Sequence, residues 1–304
     1  MPELFDQYHY EPKNKSVNAI IREFEKEYQE IFELAKTKWN HSIREFHRDA
    51  TGLKLSRNSI TGKGTPIQIW FLPDEDNQFI KLIDDHFPEL DFMEYTKIRS
   101  LHDALISADS YFNKGDISTP FDQLLDYSVK YLDRYNLKKL HSLLFSEMGK
   151  SKDVLGAYYF KDSRIELYYV PLIIFSQIHR ISLEHLIVVV LAHELAHAYH
   201  HIGFDTDGYQ WADMNKAELN IVEGLAQYYT ALFVEDQKTI YPGVKEAYLE
   251  LLAYQTGPYK VHLTWLSHAK KEHVKHAFNV TRRNGLKTYK EFGQVLRDSK
   301  SQLK

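Results

Sequence analysis

The chain of 304 residues contains no cysteine. That excludes a disulfide framework, a thiol nucleophile and any thiolate metal site. Long apolar runs are also missing. The longest, Leu186 to Ala192, is far too short to span a bilayer. Charge of one sign does not dominate. The net charge is -4 and the pI near 6.5, so neither nucleic acid nor an anionic membrane is expected as the main partner. The N-terminus, MPELFDQYHYEP, lacks a basic region followed by an apolar one, which leads to the expectation of no signal peptide and a cytoplasmic protein. With 43% apolar and 26% charged residues, the whole chain is expected to fold. Aromatic residues are abundant, with 21 tyrosines available for a core or a cleft wall.

Hydrophobic periodicity predicts a mostly helical chain. Val17 to Phe46 follows the helical repeat, with Asn14 or Ser16 as its cap and Gly52 beyond its end. PIQIWFLP, between Pro66 and Pro73, reads as a strand, and Gln78 to Phe112 as weaker helix. Asn113 to Pro120 collects turn formers and suggests a boundary between a mainly helical region, 1-115, and a second domain, 116-304. Thr119 can cap a helix there, with Pro120 at its first position, running from Phe121 to about Phe145. GAYYFKDSRIELYYVP then gives a hairpin signal, with runs Ala157 to Phe160 and Arg164 to Val170 flanking the turn. Ser182 caps the next helix, which reaches His200, and another runs from about Asn215 to Glu235. Helices from Val244 to Thr256, Lys260 to Val280 and Lys287 to Leu303 follow, broken at Gly257-Pro258 and Asn284-Gly285.

The chemistry lies in VVVLAHELAHAYHH, Val188 to His201. Residues four apart share one helix face, so His193 and His197 can reach one metal ion. Imidazole suits zinc, and Glu194 is placed to take a proton from a zinc-bound water as it attacks a carbonyl. This is the H-E-x-x-H arrangement. Glu223 stands among Ile221, Val222, Leu225 and Ala226, and a buried carboxylate there requires a cation or a hydrogen-bond network. Glu218, Asp205 and Asp207 are alternative third ligands. His200 and His201 read as solvated histidines at a helix end, and His268, His273 and His276 as a solvated face.

HELAH followed by EGLA, with Glu223 twenty-six residues after His197, resembles the gluzincin metallopeptidases. The likeness covers roughly Gly156 to Thr230. It implies an α+β, zincin-like metallopeptidase domain: a small sheet ending in an edge-strand hairpin, an active-site helix and a helical C-terminal subdomain, preceded by the helical N-terminal region. It implies Zn2+ held by His193, His197 and Glu223, with Glu194 as general base. It also implies a peptide or protein substrate lying extended along the edge strand near Arg164 to Val170. A donor to the developing oxyanion is expected downstream, with His262 and Tyr259 preferred over Tyr254, Tyr228 and Tyr229. Some members carry an Asp four residues after the third ligand; here that place is Gln227, and Asp205, Asp207 or Glu218 could substitute. Two further readings stay open. One is a narrow-substrate, regulatory or toxin-like protease acting on a single protein partner. The other is a zinc-binding interaction module without turnover.

Overall fold

Why a chain this rich in helix formers breaks where it does is answered by its caps. The computed structural model describes residues 10–55, 67–111, 119–135 and 154–303. The predicted first helix is present in pieces: α1 (Lys15–Glu27), α2 (Gln29–Leu34), a π-helical turn (Ala35–Trp39) and α3 (Asn40–Thr51). Asn14 caps α1 by accepting from the Ser16 and Val17 amides. Gly52 ends α3 in the left-handed conformation, φ 78°, which glycine adopts without steric cost. The chain continues through β1 (Gln68–Leu72), α4 (Gln78–His86), α5 (Phe92–Tyr111) and α6 (Thr119–Tyr135). The rest of the helix expected to reach Phe145, and the turn at 112–118, lie outside the described residues. Then come β2 (Gly156–Tyr159), β3 (Arg164–Tyr168), α7 (Tyr169–His179), α8 (Leu183–Ile202), α9 (Leu219–Gln237), α10 (Pro242–Tyr254), α11 (His262–His268), α12 (Lys271–Asn284) and α13 (Tyr289–Gln302). The fold is therefore mixed α+β and mostly helical. Among the described residues, no helix is long and apolar enough to cross a membrane.

Contacts group the chain into two units, each assembled from separated segments. One comprises Met1–Gln29, Pro73–Val154 and Tyr168–Arg180. There Asn14 donates to the Phe87 and Leu90 carbonyls, and the buried Asp84 carboxylate accepts from Tyr10, Lys13 and Asn14. Phe24 stacks on Tyr169 with ring centroids 3.8 Å apart.

The other unit comprises Glu30–Leu72, Leu155–Leu167 and Ile181–Lys304. It contains the H-E-x-x-H segment. Its three strands are ordered β1-β3-β2, with β2 and β3 antiparallel and Tyr158 opposite Ile165. Two sequence expectations are corrected here. The second hairpin strand ends at Tyr168, because Tyr169 and Val170 form the first turn of α7, where the missing amide of Pro171 leaves no hydrogen bond unmade. In addition β3 is central, with a neighbour on each side, so it offers no free edge to a substrate near Arg164; the outer strands are β1 and β2. The burial pattern of β3, closed on both faces from Ile165 onward, is that of an inner strand.

At the centre lies α8. Ser182 caps it through the His185 amide, Glu184 complements its positive end, and neither Gly nor Pro interrupts it before Gly203. Every residue from Leu186 to His200 is buried. The surrounding elements fix it by directed bonds. The π-helical turn delivers Trp39, whose Nε1 donates to Glu184 at 2.7 Å. Tyr199 donates to the Arg44 carbonyl at 2.7 Å, and His47 Nε2 donates to the Ala192 carbonyl at 2.9 Å. Since a carbonyl only accepts, that last bond fixes the His47 tautomer.

His47 is fully buried, and burial pushes its imidazole down to about 4, outweighing the bond to Ala192. The folded state therefore binds its proton less tightly than the unfolded chain does. Stability from this site is complete above pH about 6.5 and is lost as pH falls through about 4, by roughly 3 kcal/mol. His47→Gln, which keeps a donor for Ala192 but cannot titrate, is expected to flatten that part of the acid limb in urea titrations across this range. A parent and variant with identical acid limbs would refute it.

Candidate metal centre

Each component of the site is delivered by one of two packed helices. His193 and His197 stand one turn apart on α8, and Glu223 comes from α9, which packs against α8. The His193 Nε2 lies 3.1 Å from Glu223 Oε2 and 3.0 Å from His197 Nε2, and His197 Nε2 is 3.3 Å from the same carboxylate oxygen. The three residues are buried, with 6%, 3% and 8% exposure, so water does little to screen them. Burial acts to raise the Glu223 carboxyl, but His197 and His193 beside it hold it well below the usual carboxylate range.

Three atoms bearing lone pairs, gathered this closely, repel unless a cation or shared protons lie among them. A tetrahedral ion with bonds of 2.0–2.1 Å would set its ligand atoms about 3.3–3.4 Å apart. The observed triangle matches one face of such a tetrahedron to within a few tenths of an ångström, so this buried group could hold a metal ion. Glu194 follows His193 on α8 and is 1% exposed. It is not one of the three converging groups.

Beside Glu223, α9 requires a glycine where Val261 and α11 pack against it. A Cβ at Gly224 would lie 2.5 Å from Val261 Cγ2 and 2.7 Å from Trp265 Cη2. Trp265 is buried in the main core of this unit and has little room to yield. Gly224→Val is expected to destabilise the protein by about 1–3 kcal/mol through overpacking and to displace the neighbouring Glu223. An unchanged urea midpoint would contradict this.

The two preferred oxyanion donors occupy different environments. Tyr259 is half-buried, with its ring 5.9 Å from that of His193. His262 is fully buried, and its Nε2 shares a 2.7 Å hydrogen bond with Tyr248. Burial pushes the His262 imidazole down to about 4, so it is neutral in the ordinary pH range. Tyr259 thus borders the metal group directly, while His262 belongs to the packing behind it. Tyr228 and Tyr229 are core residues, 1% exposed each.

Several other histidine and carboxylate expectations are corrected. His200 is not solvated; it is fully buried between Tyr229 and Phe278, and burial holds it neutral. His201 Nδ1 shares a 3.0 Å hydrogen bond with the Tyr158 hydroxyl. His273 is buried and bonded to the Leu303 carbonyl, His276 to Ser299, and His268 alone of these three is exposed. α8 and α12 each bury more of their circumference than periodicity alone indicated. Asp205 and Asp207 pair with Arg282 and Arg283, and Glu218 accepts from the Tyr289 amide. Their bonds go to the C-terminal helices rather than to the metal-site histidines. Gln227 donates to Gln255 at 3.0 Å. His193 Nδ1 is buried without a hydrogen-bond partner among the described residues.

Sequence reasoning overlooked Phe160. Its ring centroid lies 6.3 Å from that of His197 and 5.1 Å from that of His201. The available signal was an aromatic residue directly after β2, the strand that packs against α8. No protein-family model matches the chain, and neither a curated protein nor a solved structure is similar enough to match it.

Proposed function

We propose that the protein is a zinc metallopeptidase. The observation that carries this reading is the convergence of His193, His197 and Glu223 at 3.0–3.3 Å, with Glu194 beside the first of them. Two imidazoles and one carboxylate suit zinc and leave a fourth position for water or substrate. When bound, zinc would supply Lewis-acid polarisation of a carbonyl and acidify water near it.

The chain's own residues do the rest. His193, His197 and Glu223 hold the ion in place. Glu194 accepts the proton of the attacking water at its carboxylate and passes it to the departing amine nitrogen as the C–N bond breaks. The Tyr259 phenol donates to the carbonyl oxygen as negative charge develops there. An extended peptide would pair with β2, an outer strand that packs against α8, and reach the centre at Phe160, the residue that follows β2. Zinc is chosen on ligand chemistry, and peptide as substrate on the pairing of an outer strand with a general base.

The test uses a mixed peptide library read by mass spectrometry. Zinc-loaded protein is expected to generate new termini, chelation to stop this, and zinc to restore it. Absence of cleavage by protein shown to contain one zinc would sink the reading as a general peptidase and leave a protease of a single protein partner or a binding module.

A further inference from the structure

The geometry points to Phe160 as a specificity-determining wall of this centre, one that selects substrates with a bulky apolar or aromatic side chain next to the scissile bond. The inference rests on the proposed metallopeptidase function and deepens it. Phe160 is half-buried, packs against the hydrophobic core of this unit, and meets three rings: His197 at 6.3 Å, His201 at 5.1 Å and Tyr158 at 5.1 Å. The last two meet it edge to face, the favoured arrangement for aromatic pairs.

Those two neighbours are themselves fixed. Tyr158 is buried and its hydroxyl shares a 3.0 Å hydrogen bond with His201 Nδ1. The Phe160 ring is therefore held in position before any substrate arrives, which removes an ordering cost from binding. Tyr259 stands beside His193 as Phe160 stands beside His197. A reacting carbonyl placed at the centre would have an aromatic ring beside each of the two histidines. The adjoining side chain of an extended substrate then meets a preformed apolar face, which favours apolar groups over small or charged ones.

Phenylalanine hydroxamate and glycine hydroxamate are suitable probes, since both present the same metal-binding group and differ in the side chain. Each is titrated by calorimetry into zinc-loaded parent, Phe160→Ala and Phe160→Leu proteins, with zinc content measured for all three. The parent is expected to bind the phenylalanine compound at least about tenfold more tightly than the glycine compound. Phe160→Ala should bring that ratio below about threefold, with Phe160→Leu in between and one zinc per chain throughout. Equal binding by the parent, a ratio unchanged in the variants, or no binding of either probe overturns the inference. If Phe160→Ala fails to fold, the Phe160→Leu ratio decides alone, and an unchanged ratio counts against it. The two readings separate cleanly. Peptide cleavage with an unaltered preference in the variants would leave the peptidase and remove this role for Phe160. Side-chain-dependent hydroxamate binding without cleavage would do the reverse.

Discussion

Glu194→Gln is expected to lower peptide hydrolysis by about 10²–10⁴-fold while leaving one zinc bound per chain. The amide keeps the shape of the carboxylate, so the buried position on α8, 1% exposed, is filled as before. What it loses is the capacity to take a proton from the attacking water. A group that acts on the transition state and not on ground-state binding should show its loss in kcat, with KM little changed. Metal content should hold because the converging group consists of His193, His197 and Glu223 without Glu194. The measurement pairs zinc stoichiometry with single-peptide kinetics. A variant that keeps its zinc and also keeps near-parental kcat would remove Glu194 as the base. A variant that loses its zinc would show instead that Glu194 is part of the metal shell.

The second large effect concerns the ligands. Structural zinc sites of four ligands bind with about 10–16 kcal/mol, or roughly 3–4 kcal/mol for each ligand. Removing His193, His197 or Glu223 singly, as His193→Ala, His197→Ala or Glu223→Gln, should therefore weaken zinc binding about 10²–10³-fold. Activity at limiting zinc should fall with it. The structural consequence differs among the three. Each histidine leaves a space on α8, a helix buried along most of its length. Glu223→Gln keeps its volume but takes the negative charge away from two imidazoles that lie 3.0 Å apart. It should thus fold as well as the parent and still lose the metal. Competition against a chromogenic chelator measures all three affinities. Parental affinity in any one variant would exclude that residue from the shell.

Much of this site was legible in the sequence because helices are local. Four-residue spacing puts His193 and His197 on one face wherever the helix lies, and Ser182 and Asn14 announce their helices by a side-chain bond to an amide two or three residues on. Glu223 stood out because a carboxylate within an apolar stretch demands a partner. Gly52, Gly257-Pro258 and Asn284-Gly285 marked real breaks, since each needs a backbone that other residues resist; Gly257 and Gly285 have φ of 55° and 61°.

Other features depended on which segments meet in space. Strand order is one. The hairpin was readable from its two β-rich runs, but its second strand became an inner strand because β1, from nearly a hundred residues earlier, pairs with it. Burial of histidines is another. His200 and His273 look like solvated polar residues in a linear pattern, and only the packing of α9 and α12 around α8, and of α13 against α12, takes them from water. The roles of Tyr259 and His262 were equivalent by sequence and became distinct when Tyr248 claimed the His262 ring.

The sequence by itself determined the helical content, the absence of thiol chemistry and the pairing of His193 with His197 on one helix face, because each follows from composition or from spacing along one helix. The tertiary structure alone decided the 3.0–3.3 Å convergence of His193, His197 and Glu223, the outer position of β2, and the placing of Phe160 beside His197 and Tyr259 beside His193. These are distances between segments far apart in the chain, and they are set by close packing, such as that of Trp265 on Gly224, which no local pattern encodes.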